Sequence, residues 1–577
     1  MFYLHHLFWS FLPLHNPIGF GVVDFLELFV ALALVALVLA WPRLSGVVNR
    51  FASRTAWCMA LLAVLPVALR LLLLRTHPVP EPAVADDFSY LLLADTLSHF
   101  RLANPSHPLH QFFETFFVLQ QPSYSSIYPP GQGIALAIGQ LIFGHPWAGV
   151  ALSIGLFCAL SYWMLLGWTT PGWALAGGFL AVIEFGPLSQ WMNSYWGGAV
   201  SAIAGCLVFG SLPRLRDRGG MRNAILLGSG IGLQLLTRPF ESMFLVVSAF
   251  LFLLFFVRPL IRLAPLIALA TLPAIGLTLL HNKRVTTEWT TLPYSLSRFQ
   301  YGIPAAFTTQ PNPAPHRDLT REQQLDYAIQ SSLHGEGTDT FRAYVLRLTT
   351  RIRFYRFFFL PPLYIAALAF LLKLREPAVA WVLGTILLFA LGTNFYPYFY
   401  SHYIAAIACL FLLISVLGLD RIGPVAAKWI LFLCIAQFVL WYTTHLIGDP
   451  SLWQYETWDA INYGDPEGRI AINKQLAEQP GRHLVFVRYS SQHTFKEWVY
   501  NAADIDRAKV VWARDLGTGE NETLRRYYPD RTAWLLEPDA RSVRLSPYLT
   551  PAIEPVTGPP PANQPPTRPH LKFEEVH

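Results

Sequence analysis

Apolar runs long enough to cross a bilayer recur along this chain, and they constrain its fold more than any other feature. Runs of about 17–25 residues suit a hydrocarbon core about 30 Å thick. They fall near 22–41, 56–75, 147–168, 173–188, 197–212, 223–237, 240–257, 263–281, 355–372, 378–394, 402–419 and 429–446. The expected fold is an all-α polytopic membrane protein with about 12 transmembrane helices. Only 14% of the 577 residues are charged and 53% are hydrophobic, against about 25% charged in a soluble domain. The net charge of +6 reads as basic cytoplasmic loops. No Lys/Arg run interleaves with stacking aromatics, so nucleic acid is not an expected partner. Cys58, Cys158, Cys206, Cys409 and Cys434 all lie in apolar runs. They read as small buried hydrophobes rather than a disulfide framework. The N-terminus lacks the basic stretch of a signal peptide, so the first apolar run is expected to stay.

One apolar piece, 131–144, is too short to cross comfortably, and the side of every later loop depends on it. Basic loops favour the cytoplasm. Arg43, Arg50 and Arg54 put the first loop inside, so Asp86-Asp87 emerge outside. Arg214, Arg216, Arg218 and Arg222 fall inside only if 131–144 lies re-entrant or interfacial. Arg258/Arg262, Lys373/Arg375 and Arg421/Lys428 then fall inside as well. Both termini are expected outside.

The chain divides accordingly. Residues 1–55 hold an extra N-terminal span and a cytoplasmic loop. Residues 56–446 form a transmembrane core with external loops 76–146 and 282–353. The tail, 447–550, reads as a small soluble α/β domain, with strands at 483–487, 509–512 and 533–536 and a helix near 520–528. Residues 551–577 are Pro-rich and are expected to be disordered.

Charges at the ends of membrane helices need water, a cation or a reaction to justify them. Asp86 and Asp87 follow the span at 56–75 and precede a helix-like stretch from Phe88. Either carboxylate can act as a general base, or the pair can cap the helix. Adjacent helical residues diverge by about 100°, so one can cap while the other acts. His107, His110 and Glu114 are possible ligands for a divalent metal, but Pro108 interrupts a one-face helix and interfacial turns explain them too. Tyr128-Pro129-Pro130-Gly131 sets up a helix entry and can also line a pocket. Arg238, before Pro239, sits at a helix break and suits a phosphate; a snorkelling arginine is the alternative. His402 stands at another such boundary, and Arg298 lies in the large loop. Asn193, Tyr195 and Trp196, beside paired glycines, can hold a sugar ring or anchor the interface.

The order and sidedness of these motifs resemble the GT-C superfamily of membrane glycosyltransferases. The chain is similar to its protein O-mannosyltransferase and aminoarabinose transferase branch over about residues 56–446. Asp86-Asp87 stands for the acidic motif of the first external loop, and Tyr128-Pro129-Pro130-Gly131 for the later Pro-Pro segment. The pattern departs at Asp87, where the family has Glu, and at His402, where it often has Arg. The resemblance implies a polyprenyl-phosphate sugar donor and a glycan, lipid or protein acceptor. It implies Asp86 as the base, with Arg238, His402 and Arg298 on the donor phosphate. The implied location is a bacterial-type inner membrane, with the site and the tail on the extracytoplasmic side among membrane lipids. Two other readings compete. A transporter with about 12 helices predicts internal repeats and midplane charges, and neither is evident. A polysaccharide polymerase or ligase using lipid-linked donors would leave Asp86 dispensable.

Overall fold

A computed structural model describes residues 51–448 and 468–548, apart from Ala83, Arg218, Arg258, Pro259, Glu336, Thr338, Thr494, Phe495 and Ser542. The run at 22–41 and the Pro-rich end lie outside the described residues. The chain is a multi-pass helical membrane protein. Among the described residues, seven helices are long and apolar enough to cross a membrane. They are Thr55–Arg75, Pro146–Leu165, Ala199–Asp217, Pro239–Phe256, Arg262–Thr286, Ser401–Ile422 and Pro424–Ile447. Phe341–Phe358 and Leu363–Lys373 would make an eighth as a broken pair, bent by 113°.

The expected count of about 12 is therefore met only in part, for physical reasons. Pro361 and Pro362 split the run at 355–372, because proline removes a backbone donor and bars helix in the residue before it. The runs at 173–188 and 378–394 form the shorter helices Pro171–Phe185 and Pro377–Thr393. A helix of 15 residues, such as Pro171–Phe185, is about 22 Å long. That falls short of a hydrocarbon core of about 30 Å. The piece expected to be re-entrant is the 14-residue helix Pro130–Phe143. Proline opens each of these helices, and its fixed φ is already helical.

The core lies where these helices meet, and it buries all five cysteines as free thiols. Close approach is by small residues, as at Gly205, where the backbone of Ala406 leaves no room for a Cβ. Lys373 pairs with Asp420 at 2.9 Å, so two helix ends expected on the same cytoplasmic side do lie together.

The tail forms a four-stranded sheet in the spatial order 510–514, 482–487, 531–537, 544–547. Arg482–Val487 runs parallel to both neighbours, and Arg544–Pro547 is an antiparallel edge. Helices Arg469–Glu478 and Thr518–Tyr527 accompany it. The edge strand escaped sequence reading because it is short and only half-buried. One face of the sheet shares a core with the loop 76–146. Leu484, Phe486, Val511 and Ala513 pack with Leu92, Phe112, Phe113 and Tyr124. The tail is thereby built onto the helix that carries Asp86.

Candidate active site

Helix Ala85–Ser98 begins one residue before the acidic pair, and its first turn separates the two carboxylates. Asp87 Oδ2 accepts from the backbone N–H of Val84 at 3.3 Å. Its Oδ1 accepts from the N–H of Tyr195 at 2.8 Å. Asp87 is thus the cap: a buried carboxylate that starts the helix and pins a distant loop to it. Asp86 points elsewhere. Its Oδ1 accepts a hydrogen bond of 2.5 Å from the Tyr128 hydroxyl. Burial pushes the Asp86 carboxyl above the usual range, opposed by that bond, by its own backbone N–H and by the charge of Arg238.

The Tyr-Pro-Pro-Gly segment explains how Tyr128 arrives there. Pro130 starts helix Pro130–Phe143, and Gly131 lies flat against the end of helix Met221–Thr237. A Cβ on Gly131 would stand 2.8 Å from the carbonyl oxygen of Leu236 and closer still to the Thr237 hydroxyl. Only a glycine permits this contact. It sets Tyr128 beside the break where Arg238 leaves the helix, at φ −146° and ψ 85°. Tyr128 also stacks on Tyr90, with ring centroids 4.3 Å apart.

Arg238 is the cationic centre of this cluster. Its guanidinium lies 4.8 Å from the Tyr403 ring centroid and 3.4 Å from Glu241. Its charge reaches Asp86, Tyr90, Tyr128, Tyr294 and His402. His402 is buried, edge-on to Trp196 at 4.5 Å and to Tyr403 at 4.6 Å. Arg298 stacks on Tyr294 at 4.9 Å and donates to the carbonyls of Pro304 and Ala305 at 3.2 and 3.1 Å. Tyr294 lies within electrostatic reach of both arginines. Asp86, Tyr128, Arg238, His402, Arg298 and Trp196 are therefore gathered around one aromatic-lined site.

Other expected site residues go to the framework. Asn193 accepts from Arg70 at 2.7 Å and donates to the carbonyls of Pro187 and Ser189. Tyr195 donates its hydroxyl to the carbonyl of Pro80 at 2.8 Å. Their polar atoms lock the loop that Asp87 holds, so a sugar-binding role for them gives way to an anchoring one. His107 bonds the Tyr528 hydroxyl at 3.1 Å, in the tail. Glu114 pairs with Arg317 and accepts from Tyr301 at 3.0 Å. These two side chains join the loops 76–146 and 282–353 and the tail to one another. Among the described residues, no three His, Cys, Asp or Glu side chains stand together as metal ligands. His107, His110 and Glu114 fail to converge because the first turns toward Tyr528.

Several residues of the cluster were missed in the sequence. Tyr90 is four residues from Asp86 and Glu241 three from Arg238, so helical spacing was the available signal. Asp326 carried none. It lies on helix Arg321–His334 of the large loop, with its Oδ2 accepting from Gln330 at 2.9 Å. Burial pushes its carboxyl up to about 6, against that bond and with the charge of Asp86 adding. The tail also reaches the site. Tyr500 stacks on Phe88 at 4.2 Å and feels the charge of Asp86.

No family model matches the chain, and no curated protein matches it. Among solved structures it is similar to ArnT from Cupriavidus metallidurans in the apo state. That likeness has a TM-score of 0.46 at 11% identity and covers 82% of this chain and 92% of that one. The same protein bound to undecaprenyl phosphate gives 0.46 at 10% identity over the same shares. The archaeal oligosaccharyltransferase AglB from Archaeoglobus fulgidus, in complex with an inhibitory peptide and a dolichol-phosphate, gives 0.38 at 13% identity. It covers 84% of this chain and 69% of that one. Overlaps this distant leave the reaction to be read from the site's own residues.

Proposed function

We propose that the chain is an inverting glycosyltransferase that moves a sugar from a polyprenyl-phosphate donor to an acceptor hydroxyl. One observation carries the reading: Asp86, fixed by Tyr128, and Arg238 share a single half-buried cluster. A general base and a phosphate-binding cation are the two groups such a displacement needs. The acceptor oxygen attacks the anomeric carbon and passes its proton to Asp86. The bond from that carbon to the phosphate oxygen breaks on the opposite side. Polyprenyl phosphate leaves with its negative charge held by Arg238, supported by His402 and Arg298. A phosphate needs no proton to depart, so one base and one cation cluster suffice. The basic loops argue for the extracytoplasmic face of a bacterial-type inner membrane, with the donor chain in surrounding lipid.

The test is complementation in cells lacking the native copy, with membrane glycoconjugates followed by mass spectrometry. Wild type restores the missing sugar; Asp86→Asn and Arg238→Ala, at wild-type abundance, do not. Full restoration by Asp86→Asn would sink the reading and favour a polymerase or ligase, for which that residue is dispensable.

A further inference from the structure

Helix Phe341–Arg351 presents two unlike faces. One is tied down across the end of helix Pro377–Thr393. The Tyr344 hydroxyl donates to the carbonyl of Leu391 at 2.7 Å. Arg347 donates to the carbonyl of Asn394 at 3.1 Å and pairs with Asp339 at 2.5 Å. Arg351 donates to the carbonyl of Thr393 at 2.9 Å. The other face carries Phe341 at 85% exposure, with Val345, Leu346, Ile352, Arg342 and Arg353 also exposed. At 3.6 residues per turn, Phe341 and Val345 fall within an arc of about 40° with Arg342 about 100° from Phe341, and Ile352 and Arg353 follow in the tighter 3-10 turn Ile352–Phe358. The following helix turns by 113° and descends into the core, where Ala366 meets Gly418 of the span Ser401–Ile422. Phe341–Phe358 therefore lies across the bundle rather than along it, at the end that bears His402 and Arg238.

We propose that Phe341–Arg353 is an in-plane anchor that binds the headgroups of acidic phospholipids. Phe341, Val345 and Ile352 enter the acyl boundary, and Arg342 and Arg353 take the phosphodiesters. An apolar stripe with basic residues beside it is the pattern of a helix lying in the interface. Charge complementarity selects acidic over zwitterionic lipid, because each arginine near an anionic surface adds attraction that a neutral one lacks. The anchored segment also holds the loop leading to His402 through Arg351, which donates to the carbonyls of Tyr396 and Pro397. Lipid binding thus steadies one wall of the site. The inference stands on the membrane fold and not on the reaction assigned to it.

The test is hydrogen exchange on the full chain in two nanodiscs, one of phosphatidylcholine and one with half phosphatidylglycerol. Exchange across 341–353 slows about tenfold in the acidic discs, as expected for two arginines near a charged surface. In Arg342→Gln/Arg353→Gln the two discs give equal rates, while exchange in 408–422 matches wild type and shows the fold intact. Equal wild-type rates in both discs would overturn the proposal. So would a double variant that keeps the response to phosphatidylglycerol.

Discussion

At the scale of single residues, the acidic pair divides its labour by direction. Asp87 is spent on two backbone N–H groups, whereas Asp86 meets a hydroxyl beside a guanidinium. Removing the proposed base, as in Asp86→Asn, is expected to lower turnover about 10²–10⁴-fold, measured as donor consumption in nanodiscs. Tyr128→Phe is subtler. The lost bond stabilised ionised Asp86, so the carboxyl pKa rises further. Because the base acts ionised, the rate falls as pH drops through that pKa. The acid limb of the pH–rate profile therefore moves to higher pH, with turnover preserved on the alkaline side. An unshifted limb would show that Tyr128 does not tune the base. Which of the pair caps the helix was open in the sequence, and side-chain direction gives that contact to Asp87.

At the scale of elements, proline and glycine set where helices start and how near they come. Gly131→Ala pushes a methyl against the carbonyl of Leu236 at 2.8 Å. Overpacking of this kind costs about 1–3 kcal/mol. A lower melting temperature in detergent, together with loss of activity, is the expected result. A second element-level device joins the tail to helix Arg321–His334. Arg514 is shared by Glu322 and, at 3.4 Å, by Glu497. Burial, with Glu322 adding and Arg514 opposing, pushes Glu497 up to about 7. For Glu322, burial works upward but Arg514 prevails and holds it low. A carboxyl raised in the fold contributes stability that is complete below its ordinary value of 4.5 and is lost as pH rises through about 7. The tail is therefore expected to open more readily at pH 8 than at pH 5, read by limited proteolysis within 468–548. Glu497→Gln flattens that dependence.

For the whole molecule, the tail and the large loop pack against the loop 76–146. Ala503 donates its N–H to Asp95 at 2.7 Å, Arg469 lies 4.5 Å from the Phe88 ring, and Tyr500 covers Phe88. Glu322 and Asp326 stand one turn apart on one helix, so the same helix bonds the tail through Arg514 and faces Asp86 through Asp326. Tyr500→Ala is expected to lower activity about tenfold while the spans stay folded, since a stacked aromatic pair contributes about 0.5–1.5 kcal/mol beyond its burial. Unchanged activity with that variant would make the tail a bystander.

Many of the membrane spans, the tail strands and the break at Arg238 were legible in the sequence. Each is a local matter of apolar length, strand propensity or a proline. The acidic pair does stand at the start of a helix just after the span Thr55–Arg75. What the tertiary structure decided is which side chains meet. Asn193 and Tyr195 became framework because Arg70 and Asp87 claim their polar atoms. His107 and Glu114 became contacts to the tail and the large loop. Asp326 and Tyr500 joined Asp86 from far along the chain, with no periodicity to announce them. Spacing within one helix is written in the sequence; proximity between helices depends on how their faces pack, and that is set by the fold as a whole.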